Sequence, residues 1–136
     1  MIALDTNVLA RYLLDDEPGQ AQAARRLLED AKAEYWIPLT VVLELAWVLR
    51  KSAAPRRLVM ERLRDLLSLR NVRPQNAEQV FQALRWAAGG MDLADSLHLV
   101  LSAKAERFAT FDEALVTHAR KLGVHPPVIL QKWRDR

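Results

Sequence analysis

Cysteine is absent from the 136-residue chain. Disulfides and thiolate metal sites are therefore excluded, and a reducing, cytoplasmic setting is expected. Histidine occurs only three times, too seldom for a His-rich zinc site. Glycine occurs four times, and two of those form the pair Gly89-Gly90. No repeat, low-complexity tract or linker interrupts the chain, so one domain over residues 1–136 is expected. No apolar run approaches the ~20 residues that span a bilayer. The first residues carry no basic segment ahead of an apolar stretch, so neither a signal peptide nor a membrane partner is expected. What is present in quantity is hydrophobic residue, 51% of the chain, enough for a sizeable core. Net charge is +3, which permits a phosphate-rich partner without requiring one.

Apolar periodicity alternates between two kinds of segment. Ile2 to Leu4 reads as a short strand, and Val8, Leu9, Tyr12 and Leu13 follow helical spacing, with Asp5 or Thr6 available as a cap. Pro18 opens a second helix with Ala21, Ala24, Leu27, Leu28 and Ala31 on one face, and Asp15, Asp16 and Glu17 form the turn before it. Tyr35-Trp36-Ile37 before Pro38 reads as a strand. "TVVLELAWVL", Thr40 to Leu49, predicts a helix buried on most sides. Pro55 begins a helix with Leu58, Met60, Leu63, Leu66 and Leu67. A strand is expected at Val72, a helix over 76–88 ended by Gly89-Gly90, and another helix in "MDLADSLHLVLSAKA". "RFATFD" reads as strand and turn, "EALVTHARKLG" as a helix closed by Gly123, and "HPPVIL" as a last strand. Alternating strands and helices predict an α/β domain with a mostly parallel sheet covered on both faces. Such sheets bind ligands beyond the carboxyl ends of their strands, where Asp5 and Asp112 both fall.

Most acidic residues have an ordinary place on polar helix faces. Asp5, Glu44, Asp92, Asp95 and Asp112 do not. Glu44 stands among Val41, Val42, Leu43, Leu45, Ala46 and Trp47, where a carboxylate is rarely buried without a partner. Asp92 and Asp95, three apart, project from one face of a helix start. Each has a structural alternative, as helix cap, dipole partner or salt-bridge partner. Gathered at one sheet edge, such carboxylates would repel and raise one another's pKa values. A divalent cation removes that cost, and oxygen donors without Cys or His select Mg2+ or Mn2+. A site of that kind binds phosphate oxygens and activates water, which makes phosphodiester hydrolysis the expected reaction class.

"MIALDTNVL", "PLTVVLELAWVL", "DLADSLHLVLSA" and "FATFD", in that order, resemble the four acidic motifs of PIN-domain ribonucleases. Their spacing is most similar to the VapC toxins of bacterial type II toxin–antitoxin systems. The resemblance implies a PIN-like three-layer α/β fold, with a parallel four- to five-stranded sheet flanked by helices. It implies a Mg2+- or Mn2+-dependent endoribonuclease, a homodimer, an RNA substrate and a VapB-type antitoxin. Carried over motif by motif, Asp5, Glu44, Asp95 and Asp112 match the four acids, and Asp92 matches an additional metal-binding acid. Thr6, Asn7 and Thr110 match the polar neighbours that orient ligands. Many relatives read T-x-N followed by a later Asp in the last motif. Here Asp112 itself occupies that position, so the identity of the fourth ligand stays open.

Substrate phosphates would meet basic side chains, for which Arg11, Arg50, Lys51, Arg56 and Arg57 are candidates. His98 is expected on a packed or polar face rather than as a ligand. Trp36, Trp47, Trp86 and Trp133 are expected in the core and at interfaces rather than as base-stacking platforms. Apolar residues on the second and fourth helices suggest a groove for an antitoxin helix, from which an arginine could compete with the metal. Three alternatives remain: a housekeeping RNA-processing nuclease, a non-catalytic nucleic-acid- or protein-binding module, and a phosphatase with Asp5 as nucleophile. The last is disfavoured because that chemistry wants a second Asp where Asn7 stands.

Overall fold

Parallel pairing organises every strand of the computed structural model, which describes residues 1–14, 16–30 and 32–133. The strands are β1 (Ile2–Ala3), β2 (Tyr35–Ile37), β3 (Val72–Pro74), β4 (Phe108–Thr110) and β5 (Val128–Leu130). The helices are α1 (Thr6–Leu14), α2 (Pro18–Leu28), α3 (Leu39–Arg50), α4 (Arg56–Leu67), α5 (Ala77–Ala88), α6 (Leu93–Val100) and α7 (Glu113–Leu122). The expected alternation of α and β elements is present. The five strands hydrogen-bond, among the described residues, as ladders of three and two. At two or three residues each, the strands offer few ladder positions. Asp15 and Ala31 lie outside the described residues.

The chain divides into two compact units, Met1–Val80 and Phe81–Arg136. In the first, β2 is the central strand, with Ile2 opposite Tyr35 and Tyr35 opposite Val72. Alternation buries Tyr35 and Ile37 and turns Trp36 outward, as a half-buried strand requires. Helix α1 buries Thr6, Leu9, Ala10 and Leu13, one stripe at the helical period, and packs on α2, α3 and α4. Pro18 occupies the first turn of α2, where its missing N–H costs no helical bond. The apolar residues of α2 and α4 that suggested a partner groove are mostly internal: Ala21, Ala24, Leu28, Val59, Met60, Leu63, Leu66 and Leu67 are buried, and Leu58 is exposed. Their stripes face this unit's own core, so they do not provide the expected docking surface.

The second unit builds a core from Met91, Leu99, Leu115, Val116, Ala119 and Val128, with Trp86, Phe108, Leu122 and Val124 against it. Strands β4 and β5 pair in parallel, and α7 packs on both. Gly123 ends α7 in the left-handed region at φ 64°, and the Val124 N–H reaches Ala119 O at 3.2 Å. Gly89 packs closely on Leu122: a Cβ there would stand 2.6 Å from Leu122 Cδ2, so the leucine side chain would have to shift. Among the described residues no helix is long and apolar enough to cross a membrane.

Tyr35 is fully buried, and its hydroxyl donates to Leu27 O. Burial pushes its phenol above the ordinary value of 10.0, and the charge of Asp30 adds to the shift. The folded pKa is raised, so this contribution to stability is complete below pH ~10 and declines as pH rises above it. Tyr35→Phe is expected to lower stability at pH 7 by about 1 kcal/mol. In urea unfolding, the gap between the two proteins should narrow as pH is taken above about 10.

Candidate metal centre

Asp5 follows β1 by two residues and stands exposed where the chain turns into α1. Its Oδ1 accepts the Thr6 N–H at 2.8 Å. The buried Thr6 hydroxyl donates to Glu44 Oε1 on α3, 38 residues away. One threonine thus ties the carboxylate at the end of β1 to the carboxylate of α3, using an N–H for the first and an O–H for the second. Asn7 is exposed beside them, in the first turn of α1.

The surroundings of Glu44 differ from expectation. Helix α3 buries Val42, Leu45, Ala46 and Leu49, and Glu44 is exposed, as is Trp47 at 52%. "TVVLELAWVL" is apolar nearly all round, yet only the stripe at i, i+3, i+4 and i+7 is internal. Glu44, Trp47, Val48 and Lys51 form the opposite stripe and line an open cleft of about 600 Å³ together with Asp16 and Arg62.

In the second unit, Asp92 is the N-cap of α6 and accepts the Asp95 N–H at 3.2 Å. Asp95 is half-buried in the first turn. Ser96, which the sequence did not single out, is fully buried and donates to Asp92 O at 2.9 Å. A serine directly after Asp95, four residues from Asp92, was the available signal, since Ser commonly returns its hydroxyl to the i−4 carbonyl. Asp112 is exposed and caps α7, accepting the Leu115 N–H at 3.1 Å. The Thr110 hydroxyl accepts the Asp112 N–H at 3.0 Å. His98 is exposed on α6, on the polar face expected of it.

The basic candidates fare unequally. Arg11 is engaged by Asp16 at 2.8 Å and by Gln20 at 2.9 Å. Arg57 lies 3.6 Å from Glu61, a neighbour one helical turn away. Arg50 lies over the Trp47 ring, 4.5 Å from its centroid. Arg56 is exposed at the start of α4. Lys51 lines the cleft that holds Glu44. Arg62, missed from sequence, lines it too, and its guanidinium reaches Leu13 O at 3.5 Å. Of the tryptophans, Trp86 packs on the core, and Trp36, Trp47 and Trp133 are exposed.

A PIN domain family model matches residues 2–121. This chain belongs to the PIN domain family. PIN domains are generally metal-dependent nucleases, and the family is associated with nucleic-acid binding. A comparison with curated proteins finds no match. The PIN domain's donor set can be tested against the metal the family uses. Among the described residues no group of three or more His, Cys, Asp or Glu side chains is gathered closely enough to hold an ion. Asp5 and Glu44, joined through Thr6, are exposed carboxylates, each with one oxygen held by a protein hydrogen bond. With no cysteine in the chain, oxygen donors of this kind suit a hard dication.

Capping and ligation can be separated by substitution. Asn caps a helix about as well as Asp but carries no charge. Asp112→Asn is therefore expected to leave thermal stability nearly unchanged, while Asp112→Ala costs about 1 kcal/mol. Urea denaturation of the two variants measures the difference.

Proposed function

We propose that this PIN domain is a Mg2+- or Mn2+-dependent endoribonuclease and the toxin of a VapBC-type toxin–antitoxin pair, acting as a homodimer. The observation that carries the reading is the Thr6 link between Asp5 and Glu44, within a chain matched to the family over residues 2–121. Carried over from the motif resemblance alone, Asp5, Glu44, Asp95 and Asp112 would be the cation's ligands, with Asp92 assisting; of these, the hydrogen bonds join Asp5 and Glu44 through Thr6. The cation, when bound, polarises the scissile phosphodiester and favours attack by water.

The remaining work falls to side chains. Thr6 fixes one oxygen of Asp5 and one of Glu44, so both carboxylates hold their orientation without a ligand. Asp92 and Asp112 have their rotamers set by the backbone N–H groups they cap. Thr110 holds the turn from which Asp112 projects. Asn7, exposed in the first turn of α1, would orient a ligand or water beside Asp5. Lys51 supplies positive charge for a substrate phosphate beside Glu44. No side-chain nucleophile is required, because water is the attacking group. The toxin assignment and the VapB-type antitoxin rest on motif order and spacing in the sequence. They draw no support from α2 and α4, whose apolar stripes are internal.

Incubation of the purified protein with single-stranded RNA should give cleavage that EDTA abolishes and that Mg2+ or Mn2+ restores. Asp5→Asn is expected to remove cleavage with the circular dichroism spectrum unchanged. Thr6→Val should keep the fold and raise the Mg2+ concentration needed for half-maximal cleavage by about tenfold, and Thr6→Ser should restore it. Metal-independent cleavage, or full activity in Asp5→Asn, would overturn the proposal.

A further inference from the structure

The cleft in the first unit holds features that the cleavage chemistry leaves unused. Trp47 lies one helical turn from Glu44, lines the same cleft and is 52% exposed. Trp47 lies outside the buried stripe of Val42, Leu45, Ala46 and Leu49, so its ring is not part of the core. Its orientation is supported from one side by Arg50, whose guanidinium stands 4.5 Å from the ring centroid. Val48 gives the cleft an apolar wall, and Lys51 and Arg62 bring positive charge to it. The acidic lining consists of Asp16, which Arg11 neutralises at 2.8 Å, and Glu44. At about 600 Å³, the cleft is of the size that holds a small organic ligand.

Resting on the ribonuclease reading above, we infer that this cleft is a nucleotide subsite of the enzyme, in which one unpaired base of the RNA stacks on Trp47 and its phosphate is met by Lys51 and Arg62. An aromatic face beside cationic side chains is the recurring means of holding single-stranded nucleic acid without reading its sequence. A base buried in a duplex cannot offer its face to an indole, so the subsite selects unpaired RNA. Trp47 thus determines specificity: it positions a nucleotide next to Glu44 and takes no part in bond cleavage. Arg50 is a positioning residue for the ring.

The test uses the whole protein in EDTA, so that binding is read without cleavage. The probe is a fluorescein-labelled, unstructured 12-nucleotide RNA of mixed sequence, alongside the same strand with abasic sites, and affinity is read by anisotropy. Trp47→Ala is expected to weaken binding of the intact strand by about tenfold, and Trp47→Phe to recover most of the loss. The abasic strand should bind weakly to the wild-type protein and no more weakly to Trp47→Ala, because the stacking partner is already missing. Quenching of indole fluorescence by the intact strand should vanish in Trp47→Ala. Lys51→Ala should lower affinity for both strands and reduce the salt dependence by about one counterion.

Equal affinity of wild type and Trp47→Ala for the intact strand overturns the subsite. So does an equal Trp47→Ala loss on the abasic strand, which would make the effect one of general structure. A Trp47→Ala variant that binds RNA normally and fails to bind a protein partner assigns the surface to that partner and likewise overturns it. The two readings fail separately. If Mg2+-dependent cleavage is present and Trp47→Ala binds and cuts as the wild type does, only the subsite is lost. If wild type neither binds nor cuts RNA, the ribonuclease reading is lost and the subsite with it.

Discussion

A single buried threonine joins two carboxylates from separate elements of the first unit. Thr6 is 3% exposed and bonds in two directions, its N–H to Asp5 and its hydroxyl to Glu44. A buried hydroxyl without a partner is costly, and here the partner is an anion, which makes the bond stronger than a neutral one. The linkage works because only Leu4 and Asp5 separate β1 from α1, which places Thr6 in the first turn with its side chain buried, while α3 follows β2, the neighbouring strand of the same parallel ladder. Parallel strands send their following helices away from the same edge. Register between Ile2 and Tyr35 therefore governs whether Thr6 can reach Glu44 at all.

Helical period then separates two faces of α3. Val42, Leu45, Ala46 and Leu49 face inward and hold the helix against α1. Glu44, Trp47, Val48 and Lys51 share the opposite stripe and face the cleft. Both sets have the same i, i+3, i+4, i+7 spacing, offset by two residues. Nearly uniform apolarity hid this division: hydrophobicity alone marks ten successive positions as candidates for the core. The signal that could have divided them is the lone charge. Glu44 cannot be internal without a partner, and once it is assigned outward, Trp47, Val48 and Lys51 must follow it.

Element order was legible because Pro18, Pro38, Pro55, Gly89 and Gly123 bracket the segments, and because short β-branched or aromatic runs stand apart from Leu- and Ala-rich ones. The same signals say where an element lies and nothing of how its faces are used. The apolar residues of α2 and α4 looked available to a partner, because a stripe reads identically whether its own core or another chain covers it. Division of the strands into ladders of three and two was likewise illegible, since no residue pattern within two- or three-residue strands specifies a neighbour. At the site, residue types were readable and connections were not. Thr6 could be placed beside Asp5 by adjacency, but its bond to Glu44 spans 38 positions and leaves no local trace. Ser96 escaped notice because a serine among apolar residues is ordinary until its burial is known.

The acids of the second unit show why the choice between cap and ligand is not a choice between exclusive roles. Asp92 and Asp112 both cap helices, which from sequence counted against any other use. A carboxylate has two oxygens and about four lone-pair directions, and a cap bond such as that from Leu115 N to Asp112 Oδ1 engages one of them. Capping also removes the rotamer freedom that a ligand would otherwise have to restrict. A helix N-terminus also favours negative charge beside it. Helix starts are for this reason economical places to keep anionic ligands: the backbone bond that stabilises the fold is the same bond that holds the side chain ready.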